Sequence, residues 1–255
     1  MLTEQRYEII LKLLNEKRSI TVAEVREALD TSESTVRRDI TALHKAGKLI
    51  KVFGGAVALE QAVTTHEYTV AQKLEIHREE KRLVAKYAAS LIRQSDFVYL
   101  DAGTTTGYML DYITEQKATY VTNAVAHAQR LAAKGMNVIL VGGELKSSTE
   151  AVVGSVAVQM VQQYHFTKGF FGTNGISRRA GFTTPDPNEA MVKRTAMMQC
   201  LARYVVADSS KFGVISSMTF GDFPDAEILA DSIPESYCKC DNITAVEEGY
   251  PVTED

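Results

Sequence analysis

The sequence is poor in the residues on which several classes of protein depend. Its 255 residues include no tryptophan, five prolines and three cysteines. Cys238 and Cys240 have no histidine close by to complete a zinc site, and Cys200 stands alone, so we expect buried or incidental thiols rather than disulfides. The five histidines are scattered singly, so the sequence predicts neither a metal site nor a cofactor.

Two further absences narrow the function. No apolar run is long enough to span a membrane and no signal peptide is recognisable, which predicts a cytoplasmic protein. The glycine spacings of a nucleotide P-loop and of a dinucleotide site are missing as well. The length suffices for one small domain and a second of about 180 residues, each with its own core.

A short polar segment in the first fifty residues predicts contact with DNA. Its polar residues are Ser32, Ser34, Thr35, Arg37 and Arg38. Apolar residues recur at helical spacing on the opposite side, at Val36, Ile40 and Leu43. One helix face is therefore buried and the other is free for contact. Helix N-termini, hydroxyls and arginine bind phosphate, and arginine also reads guanine edges.

The surrounding residues complete a winged helix-turn-helix over residues 1–58. An amphipathic helix carries Tyr7, Ile10, Leu11 and Leu14. Thr21 and Glu24 have the spacing of a capping box that opens a second helix, and two β-prone runs around Gly54-Gly55 predict a hairpin wing. The basic residues exceed the acids by five to two from residue 32 to residue 53, counting Arg37, Arg38, Lys45, Lys48 and Lys51 against Glu33 and Asp39.

The segment resembles the DNA-binding domain of the DeoR family of bacterial repressors. The resemblance rests on Arg6, the run from Ser34 to Ile40, and Gly54-Gly55-Ala56, and it continues over roughly residues 3 to 245. Asp30-Thr31 replaces the usual glycine and aliphatic residue of the turn, and Phe53 stands where histidine is common. These departures bear on the operator sequence rather than on DNA binding. The alternative is a three-helix bundle whose arginines are solvated surface charge.

The rest of the chain divides into three segments. Residues 59–74 lack a steady periodicity and are interpreted as a linker. An amphipathic helix from Glu75 to Ile92 opens a second domain over residues 75–247, and its charged start, residues 77–82, is expected to be solvated. Residues 248–255 form a C-terminal tail.

Short apolar runs in the second domain each end in a polar cluster and alternate with helical stretches. This pattern predicts an α/β domain with a mostly parallel sheet and helices on both faces. Ligands bind such sheets at the carboxyl ends of the strands, where the clusters fall. The predicted effector-binding residues there are Asp101, Gly103, Thr104, Thr105, Thr106, Thr122, Asn123, Gly142, Gly143, Gly172, Thr173, Asn174, Gly175, Asp208 and Lys211.

One of these clusters has the chemistry of a phosphate cradle. Gly103 allows a tight turn, the following helix N-terminus offers free amides, and the threonines at 104–106 add hydroxyls. Lys193 and Lys211 could supply positive charge, while acceptors and amides for sugar hydroxyls come from Asp101, Asn123, Asn174 and Asp208. The alternative is an ordinary strand-to-helix turn with a threonine cap.

Glu189 and Lys193 are four residues apart on a predicted helix. They form either a surface ion pair or part of a loop and helix that close over the ligand. The family resemblance favours the second alternative, since DeoR effector domains share this pair and a turn like Asp208-Ser209-Ser210-Lys211. Those domains resemble ribose-5-phosphate isomerase and the CoA-transferases in fold, and they bind phosphorylated sugars.

The predicted function is a transcriptional repressor of a sugar-catabolic operon, relieved by a phosphorylated sugar, with fructose 1-phosphate as the first candidate. A homodimer or homotetramer is expected, because two recognition helices must meet two half-sites on double-stranded operator DNA. The alternative is a phosphosugar isomerase that carries a DNA-binding domain. We favour the non-enzymatic regulator, because a fold does not carry its relatives' chemistry with it.

Overall fold

The computed structural model describes residues 2–17, 19–58, 63–64 and 69–247. They form a small N-terminal domain and a larger α/β domain, as the sequence predicts. Parts of the predicted linker, residues 59–62 and 65–68, lie outside the described residues. The predicted C-terminal tail, residues 248–255, lies outside them as well.

The N-terminal domain is a winged helix-turn-helix. Its elements are α1 (Thr3–Lys17), β1 (Ser19–Thr21), α2 (Val22–Leu29), α3 (Glu33–Lys45), β2 (Ile50–Val52) and β3 (Gly55–Val57). The three strands form an antiparallel sheet in the order β1-β3-β2. Apolar residues of all three helices and of the sheet share one core, which includes Ile10, Val25, Val36, Ile40 and Leu49.

Local chemistry sets the turns of this domain. Thr21 caps α2 through the predicted reciprocal bonds with Glu24, and the backbone amide of Thr21 lowers the pKa of Glu24 to about 2. Asp30 ends α2 in the left-handed region at φ 44°, a conformation that only glycine, asparagine and aspartate adopt readily. In the wing, Gly54 has φ 81°, and a Cβ on Gly55 would lie 2.0 Å from the Ile20 carbonyl oxygen.

Three elements precede the large sheet, and they differ from the sequence prediction. They are β4 (Val63–Thr64), α4 (Val70–Glu75) and α5 (Arg78–Ser90). The expected single helix from Glu75 to Ile92 begins only at Arg78, because Ile76 is extended and His77 is left-handed at φ 51°. All of α4 except Glu75 lies inside the predicted linker, where Thr69 and Gln72 form a capping box that starts a helix without apolar periodicity.

The remaining helices and strands form the body of the larger domain. The helices are α6 (Thr104–Tyr112), α7 (Val125–Ala133), α8 (Ser155–Val161) and α9 (Pro187–Met198). The strands are β5 (Phe97–Leu100), β6 (Thr119–Thr122), β7 (Asn137–Leu140), β8 (Glu144–Leu145), β9 (Val152–Val153), β10 (Phe166–Gly172), β11 (Gly175–Ser177), β12 (Gly181–Thr184), β13 (Cys200–Ala207), β14 (Ile215–Ser216), β15 (Met218–Gly221), β16 (Glu227–Ala230) and β17 (Ile243–Ala245).

A seven-stranded sheet organises the domain. Its order is β17-β16-β13-β10-β5-β6-β7, and every neighbouring pair is parallel. One face packs on α5 and α6 through residues such as Val84 and Met109, and the other packs on α8 and α9 through residues such as Val161 and Val192. The chain runs outward from β5 in one direction and from β10 in the other, so the strand order reverses between these two strands. Such a reversal opens a crevice at the carboxyl ends of the strands.

The cysteines and the lengths of the helices bear on two of the sequence predictions, free thiols and no membrane span. Cys200 is buried, Cys240 is half-buried and Cys238 is exposed, and all three are free thiols. Burial raises the pKa of the Cys200 thiol to about 12. Among the described residues, no helix is both long and apolar enough to cross a membrane.

Candidate functional site

The N-terminus of α3 presents a cluster of hydroxyls to solvent. Ser32 caps the helix, and its Oγ accepts a hydrogen bond from the Thr35 amide at 3.3 Å. The same Oγ lies 3.0 Å from Ser34 Oγ and 2.9 Å from Thr35 Oγ1. The hydroxyls therefore lie together at the positive end of the helix, where phosphate oxygens bind well.

The two arginines of α3 differ in their surroundings. The Arg37 guanidinium donates two hydrogen bonds to Glu33 Oε1, at 2.8 and 2.6 Å, and both side chains are exposed. Arg38 is also exposed. Asp39 is buried and accepts hydrogen bonds from Arg6 at 2.6 and 3.1 Å. This ion pair, which charge counting alone misses, fastens α1 to α3 and holds the arginine-bearing face outward.

The wing carries its lysines on the surface. Lys48 and Lys51 are both exposed, and Lys51 Nζ donates to Thr41 Oγ1 at 2.9 Å. Phe53 is fully exposed at the tip of the wing. Lys45 is exposed in the last turn of α3. It also lines a cavity between the two domains, so its side chain could serve that cavity instead of the predicted contact with DNA.

A cavity of about 580 Å³ lies at the carboxyl ends of β5 and β10, where the strand order reverses. The N-terminal domain contributes five residues to its wall: His44, Lys45, Gly47, Leu49 and Ile50. The predicted effector residues on the wall are Gly103, Thr104, Thr105, Gly172, Thr173, Asn174, Glu189, Lys193 and Lys211. The structure thus brings residues from the ends of three strands, β5, β10 and β13, and from α9 to one cavity.

The loop predicted to be a phosphate cradle brings two threonines to the cavity wall instead of three. Gly103 precedes α6 and has no side chain to cap it, so the first amides of the helix keep no side-chain partner. Thr104 and Thr105 line the cavity. Thr106 is fully buried, and its hydroxyl donates to the carbonyl oxygens of Asp101 at 2.7 Å and Gly103 at 2.9 Å. Thr106 therefore shapes the loop and does not face a ligand.

A buried ion pair supports the floor of the cavity. Asp101 Oδ2 accepts hydrogen bonds from Lys193 Nζ and, at 3.0 Å, from the Gly172 amide. Lys193 Nζ also donates to the Gly172 carbonyl at 3.0 Å. Burial raises the pKa of Asp101, although Lys193 opposes that shift. Asp101 and Lys193 together join the ends of β5 and β10 to α9.

The ion pair between Glu189 and Lys193, the alternative that the sequence left open, does not form. Lys193 pairs with Asp101, whereas Glu189 Oε1 accepts hydrogen bonds from Lys146 at 3.1 Å and from Thr149 at 2.5 Å. Both Glu189 and Lys193 are buried, so the alternative of a surface pair is also wrong. Glu189 instead ties the loop after β8 to the start of α9, and Lys146 adds an ion pair with Asp186 at 3.1 Å.

Several predicted effector residues do not reach the cavity wall. They are Asp101, Thr106, Thr122, Asn123, Gly142, Gly143, Gly175 and Asp208. Asn123 Oδ1 accepts from the Ala102 amide at 2.9 Å, and its Nδ2 donates to the Val152 carbonyl at 3.2 Å. Thr122 Oγ1 accepts from the Ala124 amide, and Asp208 Oδ1 accepts from the Ser210 amide. These short polar side chains hold loops in place, which explains why they look like ligand residues in the sequence.

The cavity also contains residues that sequence reasoning missed. The basic ones are His44, Lys73, His77 and Lys81. Lys81 was expected on a solvated face, yet only 3% of it is exposed. The sequence does hold the signal, because Lys81 precedes Val84, Ala85 and Ala88 at the spacing of the buried stripe of α5. A lysine in that register is directed toward the body of the domain.

The acidic, histidine and cysteine side chains show no metal centre. In the part of the chain that the structure describes, no group of three or more such residues is close enough to hold a metal ion.

Both domains match known protein families. Residues 6–62 match the DeoR-like helix-turn-helix domain, and residues 76–232 match the DeoR C terminal sensor domain. The chain belongs to the DeoR family. The resemblance drawn from the sequence is thereby confirmed, and DeoR-family proteins are DNA-binding transcriptional regulators.

Relatives of similar length support this membership. FruR of Bacillus subtilis, described as an uncharacterized HTH-type transcriptional regulator, is 39% identical over 236 residues, which cover 92% of this chain and 93% of FruR. A lactose phosphotransferase system repressor of Staphylococcus epidermidis is 35% identical over 211 residues, covering 82% and 83% of the two chains. The repressor of the same name from Staphylococcus aureus is 32% identical over 252 residues, covering 96% and 92%.

Solved structures are more distant. Ribose 5-phosphate isomerase A of Methanocaldococcus jannaschii aligns with 53% of this chain and 55% of its own, at 11% identity and a TM-score of 0.41. The eIF2B delta subunit of Chaetomium thermophilum aligns with 60% of each chain, at 13% identity and a TM-score of 0.39.

Proposed function

We propose that this DeoR-family regulator represses a sugar-catabolic operon and is released from its operator by a phosphorylated sugar, with fructose 1-phosphate as the first candidate. The observation that carries the proposal is the cavity at the strand-order reversal, whose wall includes the uncapped N-terminus of α6 together with Lys193 and Lys211. Amides at a helix N-terminus and ammonium groups are the donors that bind phosphate. The relatives named as lactose phosphotransferase system repressors support a role in sugar uptake.

The DNA-binding part of the proposal rests on α3 and the wing. The exposed arginines and the Ser32 cap suit a recognition helix, with Lys48 and Lys51 on the sugar-phosphate backbone. We propose a homodimer or a homotetramer, because a symmetric operator needs two recognition helices one helical turn or a multiple apart. Sedimentation of the full chain with and without a two-half-site duplex tests this assembly.

Release from DNA needs only a modest free-energy coupling between the effector cavity and the DNA-binding surface. An allosteric coupling of about 1–3 kcal/mol changes operator affinity by roughly 5- to 150-fold. The cavity wall includes His44 and Lys45 from the end of α3, so the recognition helix ends close to the proposed ligand. A ligand that binds one arrangement of the two domains more tightly than another would shift the equilibrium toward that arrangement.

The rival function is a phosphosugar isomerase carrying a DNA-binding domain. Enolisation needs a carboxylate free to take a proton from the sugar. Glu189, the carboxylate on the cavity wall, is engaged by Lys146 and Thr149, and Asp101 behind the wall is engaged by Lys193 and the Gly172 amide. These contacts favour a sensor without turnover. A coupled assay of the purified protein with ribose 5-phosphate and fructose 1-phosphate tests it, and any turnover above background would restore the isomerase.

The ligand itself is tested through Lys211. Lys211→Ala should reduce the affinity for fructose 1-phosphate by about ten-fold or more, because it removes a charge-assisted hydrogen bond of about 1.5–3 kcal/mol. Its operator affinity without ligand should stay unchanged, so the variant should repress but resist induction. Calorimetric titration with fructose 1-phosphate and with fructose measures the effect.

The matched control is Lys86→Ala, because Lys86 is exposed on the outer side of α5. It should bind fructose 1-phosphate as the wild type does. Equal affinity of the wild type for fructose and fructose 1-phosphate would refute the phosphate site, and so would equal affinity of Lys211→Ala and Lys86→Ala.

A further inference from the structure

Lys81 is a buried cation on the cavity wall that the phosphate cradle does not explain. It lies in the first turn of α5, with 3% of its surface exposed, and it lines the cavity with Lys211. In the described residues no carboxylate lies within 4.0 Å of its ammonium group. Burial lowers the pKa of Lys81, while the charge of Asp208 partly opposes that shift from a greater distance.

The contacts of Lys81 all go to backbone oxygens at the end of α4. Its Nζ donates to the Lys73 carbonyl at 2.7 Å and to the Ile76 carbonyl. The last carbonyls of a helix have no partner within the helix and carry its negative end, so an ammonium group is a suitable cap. An ammonium group has three N–H donors, and these two bonds use two of them.

α4 has little buried surface to hold it in place. It contains no buried residue, and Tyr108 Oη donates a hydrogen bond to the Leu74 carbonyl at 2.9 Å. α4 is also the first helix after the DNA-binding domain in the described chain. A segment with so little burial opens at low free-energy cost, so the capping by Lys81 has a large influence on its position.

We infer that Lys81 and Lys211 together bind the anionic group of the effector, and that the same Lys81 ammonium keeps α4 docked, so that ligand binding and α4 docking strengthen each other. A buried charge with no carboxylate in direct contact is costly, and an anion in the cavity would supply a contacting counter-ion through the third donor. The inference rests on the proposed sensor function and adds to it both a binding residue and a connection to the DNA-binding domain.

Two substitutions separate the two roles of Lys81. Lys81→Met keeps the apolar stem and removes both the charge and the donors. Lys81→Gln removes the charge but keeps two N–H donors for the α4 carbonyls, on a side chain that is one bond shorter. Lys86→Met, on the exposed side of the same helix, is the control, and Lys211→Ala reports on the phosphate site itself.

Each protein is titrated with fructose 1-phosphate and with inorganic phosphate, and hydrogen exchange of residues 70–76 is followed with and without ligand. We expect both Lys81 variants to bind about ten-fold or more weakly than Lys86→Met. α4 should exchange faster in unliganded Lys81→Met than in the wild type. Saturating ligand should slow exchange in the wild type but not in Lys81→Met, while Lys81→Gln should keep much of the unliganded protection.

The outcomes distinguish this inference from the proposed function. If Lys211→Ala loses affinity but both Lys81 variants bind like Lys86→Met, Lys81 is only a helix cap and the inference is wrong. If ligand leaves α4 exchange unchanged in the wild type, the coupling is wrong. If the wild type binds neither probe and Lys81→Met still exposes α4, the sensor proposal fails while the capping contact stands.

Discussion

The two domains use their polar residues in opposite ways. In the DNA-binding domain, residues predicted to contact DNA lie on the outside, as Ser34, Arg38 and Lys48 do, whereas Asp39 is buried and holds two helices together. In the sensor domain, the residues predicted to contact the ligand divide between a cavity wall and a buried scaffold, of which Asn123 and Thr106 are examples. Function is thus easier to read from a surface that meets DNA than from a crevice within a sheet.

The difference has a physical origin. A helix has a period of 3.6 residues, so the apolar stripe of α3 shows which side chains must face outward. The loops after parallel strands have no period. Their polar side chains satisfy buried backbone groups as often as they bind ligands, and both tasks favour the same small residues. The predictions below test this contrast between an outward-facing surface and an inward-facing scaffold.

The largest effect is expected from breaking the buried ion pair of the sensor domain. Lys193→Met should destabilise the unliganded protein by about 3–5 kcal/mol, because it leaves Asp101 buried without its cation. One oxygen of Asp101, Oδ1, already has no partner among the described residues. Urea unfolding followed by circular dichroism measures the loss. A residue that served only to bind ligand would show no such cost.

Lys86→Met is the control for this stability measurement as well, and it should change the free energy of unfolding by less than about 0.5 kcal/mol. Adding Asp101→Leu to Lys193→Met should recover part of the lost stability, because the double variant buries no charge. If Lys193→Met is as stable as Lys86→Met, the ion pair between Asp101 and Lys193 does not stabilise the fold. Lys193 would then not belong to the buried scaffold behind the cavity wall.

The elements with a periodic pattern were predictable from the sequence, and the contacts of the loops were not. Periodicity and capping predicted the winged helix-turn-helix, with Ser32 and Thr21 as caps, and strand–helix alternation predicted the parallel sheet. The partners of Glu189 and Lys193, which are Lys146 and Asp101, could not be predicted, because they depend on which loops and strand ends lie beside α9. The break at His77 was missed because the apolar pattern gives no sign of a left-handed residue.

An intermediate effect is expected at the surface of α3. Arg38→Ala and Arg37→Ala should each weaken operator binding by about 1–3 kcal/mol if the side chain reads a base. Arg37 must first leave Glu33, and that exposed pair is worth only a few tenths of a kcal/mol. Fluorescence anisotropy with an operator duplex, selected from random sequences with the wild-type protein, measures the change.

Lys51→Ala provides the contrast on the wing. It should weaken binding to all duplexes alike and reduce the slope of log affinity against log salt by about one. The arginine variants should instead lose their preference for the operator over random DNA. If the Arg37→Ala/Arg38→Ala double variant binds the operator as the wild type does, α3 is not the recognition helix.

The smallest effect is expected from His127, a buried residue of α7 beside the cradle loop. Its Nε2 lies against Gly107, and its Nδ1 has no partner among the described residues. Burial, with a smaller contribution from the charge of Arg130, lowers the pKa of His127 from 6.5 to about 4. A group whose folded pKa is depressed supports stability above its unfolded pKa, and that support is lost as the pH falls toward the folded pKa.

The window for this loss therefore runs from pH 6.5 down to about 4. Between about pH 7.5 and pH 5.5 the wild type should lose about 1 kcal/mol of stability that His127→Gln does not lose, since one pKa unit corresponds to about 1.4 kcal/mol. Urea unfolding at the two pH values measures the difference. His165→Gln is the control, because His165 is exposed, and it should follow the wild type. If His127→Gln also follows the wild type, His127 is not held neutral by burial, and the cradle loop does not rest on a desolvated side chain.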